Sequence, residues 1–299
     1  MLNKRSYILR LEERAGYAFL LPSLLGVLVF IVVPILMSFV LGFTNWNPMK
    51  GLSDLRFSGF DNYIKLFEDT RVLSAIRNNL VYTLSYVPVT IFLALLVAAM
   101  LNKFVFFRVP LRMMIFMPYI SSLVSVATVW MVLLYPDMGP VNAILHNVFG
   151  VATPPKWFIS SDYALTGIII LQIWHDVGYY MIILLANLQL LPGDVYESAR
   201  IDGANTFQIF TRITVPMLRN ALFLCITLAT INSFKVFDTV NIITEGGPGY
   251  SSTVLVQCVY HYAFKEFRIP YAASVALVLF LIIFVFTFVL KRIEKRLKY

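Results

Sequence analysis

Apolar residues in this chain run together in unbroken stretches instead of alternating with polar ones at a strand or surface-helix period. Six stretches, near 16–43, 74–101, 110–135, 163–190, 212–238 and 269–290, are long enough to span a bilayer, because crossing about 30 Å of hydrocarbon takes about 20 residues of helix. Lipid offers the backbone no hydrogen-bond partners, so such stretches must be helical. The pattern predicts an all-α membrane protein with six transmembrane helices. It divides into an N-terminal segment 1–15, a six-helix domain 16–292 and a C-terminal tail 293–299. The first stretch is too long for the apolar core of a signal peptide and has no small-residue cleavage site, so it reads as retained. Pro22 and Pro34 are tolerable there, since neighbouring groups re-satisfy the freed carbonyls.

Composition agrees. The chain is 59% hydrophobic and 13% charged, where soluble domains run at about 45–50% and about 25%. A net charge of +8 would point to nucleic acid in a soluble chain, but here the cations lie between apolar runs and set orientation. Fifteen fall on one side: Lys4, Arg5, Arg10, Arg14, Lys103, Arg108, Arg112, Arg200, Arg212, Arg219, Lys291, Arg292, Lys295, Arg296 and Lys298. Eight fall on the other, with Lys235 near a helix end. This imbalance predicts that both termini and the 191–211 loop are cytoplasmic. Cys225 and Cys258 give neither a disulfide framework nor metal-ligand spacing.

The most polar interruption is 194–216, DVYESARIDGANTFQIFTRITVP. Leu191-Pro192-Gly193 should end the preceding span, because proline lacks a donor and glycine accepts positive φ. Asp194 with Glu197 three positions on predicts a capping box that starts a short helix. On it Tyr196, Ala199, Arg200 and Gly203 recur at i, i+3, i+4 and i+7, and Ala199, Gly203 and Ala204 keep the profile thin. Gly203 predicts the bend into a second helical segment bearing Phe207 and Phe210. Residues alone leave two readings open: a connector lying on the headgroups, or a docking surface for another protein.

Read as E-S-A-x-x-x-G, nine residues, then I-x-V-P, the segment resembles the cytoplasmic signature loop (E-A-A-x-x-x-G-x9-I-x-L-P) of permease subunits from ATP-binding-cassette importers. FTNWN at 43–47, FSGFDNYIKLFED at 57–69, NNLVYT at 78–83, YESARIDGA at 196–204 and FDTVNIITEGGPG at 237–249 are similar, in the same order, to the carbohydrate-uptake branch of that family. Ser198 and Val215 depart from the signature by small changes in volume. The resemblance implies a type I importer permease fold in a bacterial or archaeal inner membrane. It further implies a second permease, a dimer of ATP-binding subunits, an extracytoplasmic solute-binding protein and a sugar or polyol substrate. It assigns coupling to the ATPase to Tyr196, Glu197, Ala199, Arg200, Asp202, Gly203, Ala204 and Phe207. No G-x-x-x-x-G-K-[ST] loop occurs in the sequence, so ATP and Mg are expected on the partner and the chain itself is expected to be non-catalytic, without a cofactor or metal. The large extracytoplasmic insertion of some maltose permeases is missing, so short loops must meet the binding protein.

For the pathway, the fourth span carries Gln172, Trp174, His175, Asp176, Tyr179 and Tyr180, with the ionisable pair close to its midpoint. Groups there are costly unless they face a polar cavity or a partner. Gln172, Asp176, Tyr179 and Tyr180 are expected on one face, either lining a sugar path or clamping against the second permease. Asn232, Lys235, Asp238 and Thr239 form a second polar face, in which Lys235 and Asp238 are expected one turn apart and able to pair. Thr244 to Gly249 is a turn by composition, and only the resemblance ties it to gating or binding-protein contact. Trp46 and Trp157 read as interfacial belt. His146 and His261 lack carboxylate partners at ligand spacing, so a metal site is not expected. An ion-coupled secondary carrier is the alternative function, but Asp176 is the sole acid placed near a midplane. An intramembrane enzyme lacks a nucleophile with a paired base.

Overall fold

In a computed structural model that describes residues 2–102 and 107–297, the first apolar run is one rod. Helix α1 (Leu2–Val27) passes through a π-helical turn, Leu28–Val32, into α2 (Val33–Leu41). A two-stranded antiparallel ribbon, β1 (Thr44–Asn45) with β2 (Arg56–Phe57), and a short α3 (Asp61–Leu66) lead to the second span, α4 (Thr70–Asn102). Then follow α5 (Arg108–Ile120), α6 (Leu123–Leu133), α7 (Pro140–Asn147) and the fourth span, α8 (Ala164–Gln189). The polar segment forms α9 (Gly193–Ile201) and α10 (Thr206–Ile209), a π-helical stretch Phe210–Thr214 and α11 (Val215–Met217). The chain ends with α12 (Arg219–Phe234), α13 (Asp238–Ile243), α14 (Leu255–Tyr260), a π-helical turn His261–Lys265 and α15 (Ile269–Leu297). Lys103 and Lys298, two of the cations that set orientation, lie outside the described residues.

The interior is built on α4 and α8, the most extensive helix pair. Their shared surface alternates bulk with near-absence of side chain: Tyr82, Tyr86, Met181 and Leu184 sit among Ala94 and Ala98, all fully or almost fully buried. Between spans, lipid is as apolar as leucine, so cohesion comes from close contact and interhelical hydrogen bonds rather than from excluding water. Within their most apolar windows, 61% of α8 is buried against 0% of the first span, which meets the body mainly where α2 touches α15.

Five helices or helix pairs qualify singly as spans; the third, expected as one helix over 110–135, is instead α5 and α6 meeting at 97°. Hydropathy averages over this break. Pro118 removes one backbone donor near the end of α5, and Ser121 ends it with an extended ψ of 148°. The Ser121 N–H and Oγ both turn back to the Met117 carbonyl, at 3.2 and 3.0 Å, so that the helix end is not left unsatisfied. The fifth span also breaks, between Phe234 and Asp238.

On the side of the membrane away from the 191–211 loop, Asp69 gathers three elements. Its carboxylate accepts from Tyr262 Oη at 2.6 Å, Tyr271 Oη at 2.8 Å and the backbone amides of Arg71 and Val72 at 2.9 and 3.3 Å. Burial pushes this carboxyl upward, but the four hydrogen bonds outweigh burial and hold it below its ordinary value. Asp69 thereby caps α4 and ties it to the π turn and α15.

Candidate functional site

A cavity of about 170 Å³ opens where the two broken spans meet α4 and α8, lined among others by Tyr82, Tyr86, Gln172, Asp176, Asn232 and Asp238. Non-helical backbone at membrane depth is tolerated where it borders a cavity, and both breaks do so, Leu123 from the first and Lys235, Val236 and Phe237 from the second.

Asp176 lies at the thirteenth of 26 positions in α8, at its centre. It is buried and accepts every hydrogen bond it makes. Tyr86 donates from α4 to Oδ2, Gln172 Nε2 donates to the same oxygen at 3.0 Å, and His175 Nδ1 lies 2.6 Å from Oδ1. A carboxylate oxygen only accepts, so Nδ1 carries the proton of that contact. Gln172 is oriented in turn by Thr239, whose hydroxyl donates to its Oε1 at 2.7 Å. The result is a chain of polar contacts from α4 through α8 to α13. Within this chain these contacts clamp three helices together.

Gln172, Asp176, Asn232 and Asp238 come together on the cavity wall, and Tyr180 stands behind it with Asn232 Nδ2 3.5 Å from its hydroxyl. Trp174 and Tyr179 are not on the wall. Trp174 packs on Trp130 at 5.6 Å, and Tyr179 stacks on Tyr119 of α5 at 4.6 Å. Seven residues on from Gln172, Tyr179 has climbed about 10 Å along the axis, to the level where α5 replaces the cavity. Tyr82 and Tyr86 line the cavity too; Tyr82 falls within the NNLVYT piece, whereas Tyr86 lies outside every quoted motif. Lys235 and Asp238 form no ion pair among the described residues. The helix stops between them, so the one-turn spacing expected of them is not helical.

On the far side, the 78–83 piece holds the residues that follow the 237–249 piece. Asn78 Nδ2 donates to the carbonyls of Tyr250 and Thr253 at 2.8 and 2.9 Å, and Asn79 Oδ1 accepts from the Leu255 amide at 2.8 Å. These fasten the segment that follows the Thr244–Gly249 turn onto α4. Gly246 is held at φ +86°, and a Cβ there would meet Gln257 Oε1 at 2.3 Å. His261 does have a carboxylate neighbour, Glu266 Oε1 at 2.9 Å, because a π turn brings residue i+5 into register. No cluster of three metal-ligating side chains occurs among the described residues.

The polar loop has the expected bend, reached by different capping. Helix α9 begins at Gly193 with Pro192 as its N-cap and no side-chain cap, so Asp194 and Glu197 do not form the capping box. Pro192 supplies the extended entry (ψ 131°) two residues too early for Asp194 to act as the cap. The capping box is instead on α10, where Asn205 Oδ1 accepts from the Gln208 amide at 2.8 Å and Gln208 Oε1 from the Asn205 amide at 2.9 Å. Between the helices, Gly203 has φ +80°. The Ala204 amide bonds to Ala199 O at 2.9 Å and the Gly203 amide to Arg200 O at 3.1 Å, the paired bonds of a Schellman turn. Tyr196 and Ala199 face inward, Tyr196 Oη reaching Thr214 Oγ1 at 3.3 Å, so the small residue Ala199 serves this chain's own packing. Glu197, Arg200, Asp202, Gly203 and Phe207 are exposed, and Ala204 is half-buried. The loop is therefore a rigid double helix-turn carrying charged and aromatic side chains outward.

The family described as "Binding-protein-dependent transport system inner membrane component" matches residues 70–299. The chain is 34% identical to the lactose transport system permease protein LacF of Rhizobium radiobacter, covering 93% of each chain. It is 30% identical to the trehalose/maltose transport system permease protein MalF of Thermococcus litoralis, covering 84% of each. In fold it superposes on a chain of a bacterial ABC transporter involved in the import of the acidic polysaccharide alginate, with a TM-score of 0.82 at 23% identity over 98% of this chain and 99% of that one. Energy coupling in such importers resides in a separate ATPase, so the ion-coupled carrier is not favoured. The chain belongs to the binding-protein-dependent transport system inner membrane component family, as a non-catalytic permease subunit of an ABC importer.

Proposed function

We propose that this subunit forms half of the path for a sugar, oligosaccharide or polyol derivative, with the cavity beside Asp176 as its share of the wall. The observation that carries the reading is the composition of that wall. Asn232, Lys235 and Asp238 are exposed on it, and hydroxyl-rich ligands need such mixed donors and acceptors. The lactose and trehalose/maltose relatives point to the same ligand class. A second permease closes the open side of the cavity. An extracytoplasmic binding protein delivers the ligand to the short loops around 244–254. ATP and Mg act on the partner ATPase, which grips the exposed face of α9 and α10. The excess of cations on that side, Arg200, Arg212 and Arg219 among them, orients the loop and both termini to the cytoplasm.

The test separates wall from coupling. In the reconstituted transporter, Asn232→Ala and Asp238→Asn should raise the ligand concentration needed for half-maximal uptake while leaving the ATPase bound. Gly203→Asp, which forces a β-carbon into left-handed backbone, should strip the ATPase from a membrane-inserted permease. If Asn232→Ala and Asp238→Asn leave uptake unchanged for every sugar the binding protein carries, the cavity is not the path. If Gly203→Asp retains the ATPase and normal uptake, the loop is a connector.

A further inference from the structure

Helix α3 joins the far end of the first span to the start of the second, and it has three chemically distinct sides. At 3.6 residues per turn, Phe60, Ile64 and Phe67 fall within about 60° of one another, and Asp61, Lys65 and Glu68 form a second stripe centred about 100° away. The third side is the attachment. Leu66 is buried in one cluster with Val72 and Tyr271, and Asn62 Nδ2 donates to the carbonyls of Gly42 and Thr44 at 3.1 and 2.8 Å. The apolar stripe is left bare: Phe60 is 68%, Ile64 59% and Phe67 78% exposed. A helix at the surface of water alone has no use for three large apolar side chains on one line. A helix with one side on protein, one in water and one in lipid needs this arrangement.

Continuity identifies the occupant. Phe39, in the last turns of the first span, packs on Phe43 at 5.4 Å, and Phe43 packs on Phe60 at 5.4 Å. The aromatic surface of a span with none of its apolar window buried therefore runs without interruption onto α3. Aromatic side chains with one charged flank are the chemistry that settles at the junction of headgroups and acyl chains.

We propose that α3 is an interfacial anchor. Its Phe60–Ile64–Phe67 face lies at the acyl boundary of the leaflet opposite the 191–211 loop, and its Asp61–Lys65–Glu68 face lies toward water. The anchor fixes the depth of the Asn62 hydrogen bonds that hold the end of the first span. It also sets the height of Asp69, three residues beyond Leu66, at the start of α4. Partner protein is the competing occupant, since a second permease or a binding protein on this face would bury the same three side chains.

The test uses the whole transporter, with its partner subunits, in lipid nanodiscs. Spin labels on Ile64→Cys and Lys65→Cys are read for relaxation by oxygen, which partitions into lipid, and by a water-soluble nickel chelate. Both native thiols, Cys225 and Cys258, are buried, and wild-type protein treated in parallel gives the background. The ratio of oxygen to nickel relaxation should be severalfold higher at residue 64 than at 65. Phe67→Cys, on the same face, should match residue 64. The proposal is overturned if the labels at 64 and 67 are shielded from both reagents, which means protein covers the face, or if nickel dominates at both, which means water does.

Discussion

Replacing Gly178 by alanine tests whether the α5–α8 contact is as close as the structure makes it. An added Cβ would stand 2.2 Å from Ile115 O, 2.8 Å from Phe116 Cα and 2.9 Å from Ile115 C, all backbone atoms of α5. A carbon against a carbonyl oxygen settles at roughly 3.3 Å or more, so the two helices must part by about 1 Å. Overpacking of this kind costs about 1–3 kcal/mol, and backbone on the opposing side leaves no rotamer to absorb it, which puts the cost near the upper end. Alanine recovers about 0.5–1 kcal/mol of helix propensity over glycine, leaving a net loss of roughly 2 kcal/mol, or about thirtyfold in the folded fraction's equilibrium constant. Two controls grade the effect. At Gly167 the nearest neighbour is the Phe158 ring, 2.7 Å away, a side chain free to move; at Gly193 nothing lies within 4 Å. Unfolding free energies in bicelles should rank Gly178→Ala well below Gly167→Ala, and Gly193→Ala level with wild type or above it. Should Gly178→Ala prove as stable as Gly193→Ala, the close approach of α5 to α8 is wrong, and with it the placement of Tyr119 against Tyr179.

Asn205→Ala removes the side-chain acceptor of the capping box on α10, leaving only the bond from its own backbone amide to Gln208, and should cost about 1 kcal/mol locally, seen as faster amide exchange in residues 206–209, whereas Asp194→Ala should leave exchange at the start of α9 unchanged. Asp69 has a folded carboxyl held below its unfolded value, so its stabilisation is complete above that unfolded value and is lost as pH falls through the lower, folded one. Acid unfolding curves of wild type and Asp69→Asn should therefore diverge above about pH 4 and converge below it; curves that run parallel throughout would contradict the four-bond account. Tyr86→Phe takes one donor from Asp176 and Thr239→Val frees Gln172; if the chain of contacts acts as one unit, a double-mutant cycle on stability will show their costs to be non-additive, and additivity would mean independent contacts.

What the sequence made legible is what depends on length and on single special residues. Apolar runs set the spans because lipid demands helix over a fixed distance, and Gly203 announced a left-handed turn that no other residue type enters as readily. Asn205 and Gln208 carry a capping-box spacing as plainly as Asp194 and Glu197 do; only the backbone at Pro192 decides between them, and that is a matter of two residues' register. The breaks at Ser121 and after Phe234 were hidden because hydropathy sums over a window and is blind to direction. Tyr86 was hidden for a different reason. It donates to Asp176, 90 residues along the chain, and no local pattern encodes that meeting.

Chain order gives the Asp176 contacts a sequence in time. A carboxylate entering the centre of a bilayer on a lone helix costs roughly 2.5–3.5 kcal/mol on insertion scales. During synthesis α4 enters first and brings the Tyr86 hydroxyl to that depth before α8 exists. Helix α8 then arrives with Gln172 one turn ahead of its acid and His175 beside it, so three donors are at hand when Asp176 leaves the translocation machinery. Thr239 follows last, closing on Gln172 only after the fifth span is in place. The second span thus acts as an insertion template for the fourth, and a nascent chain released just past Leu190 already holds every group that touches its buried acid.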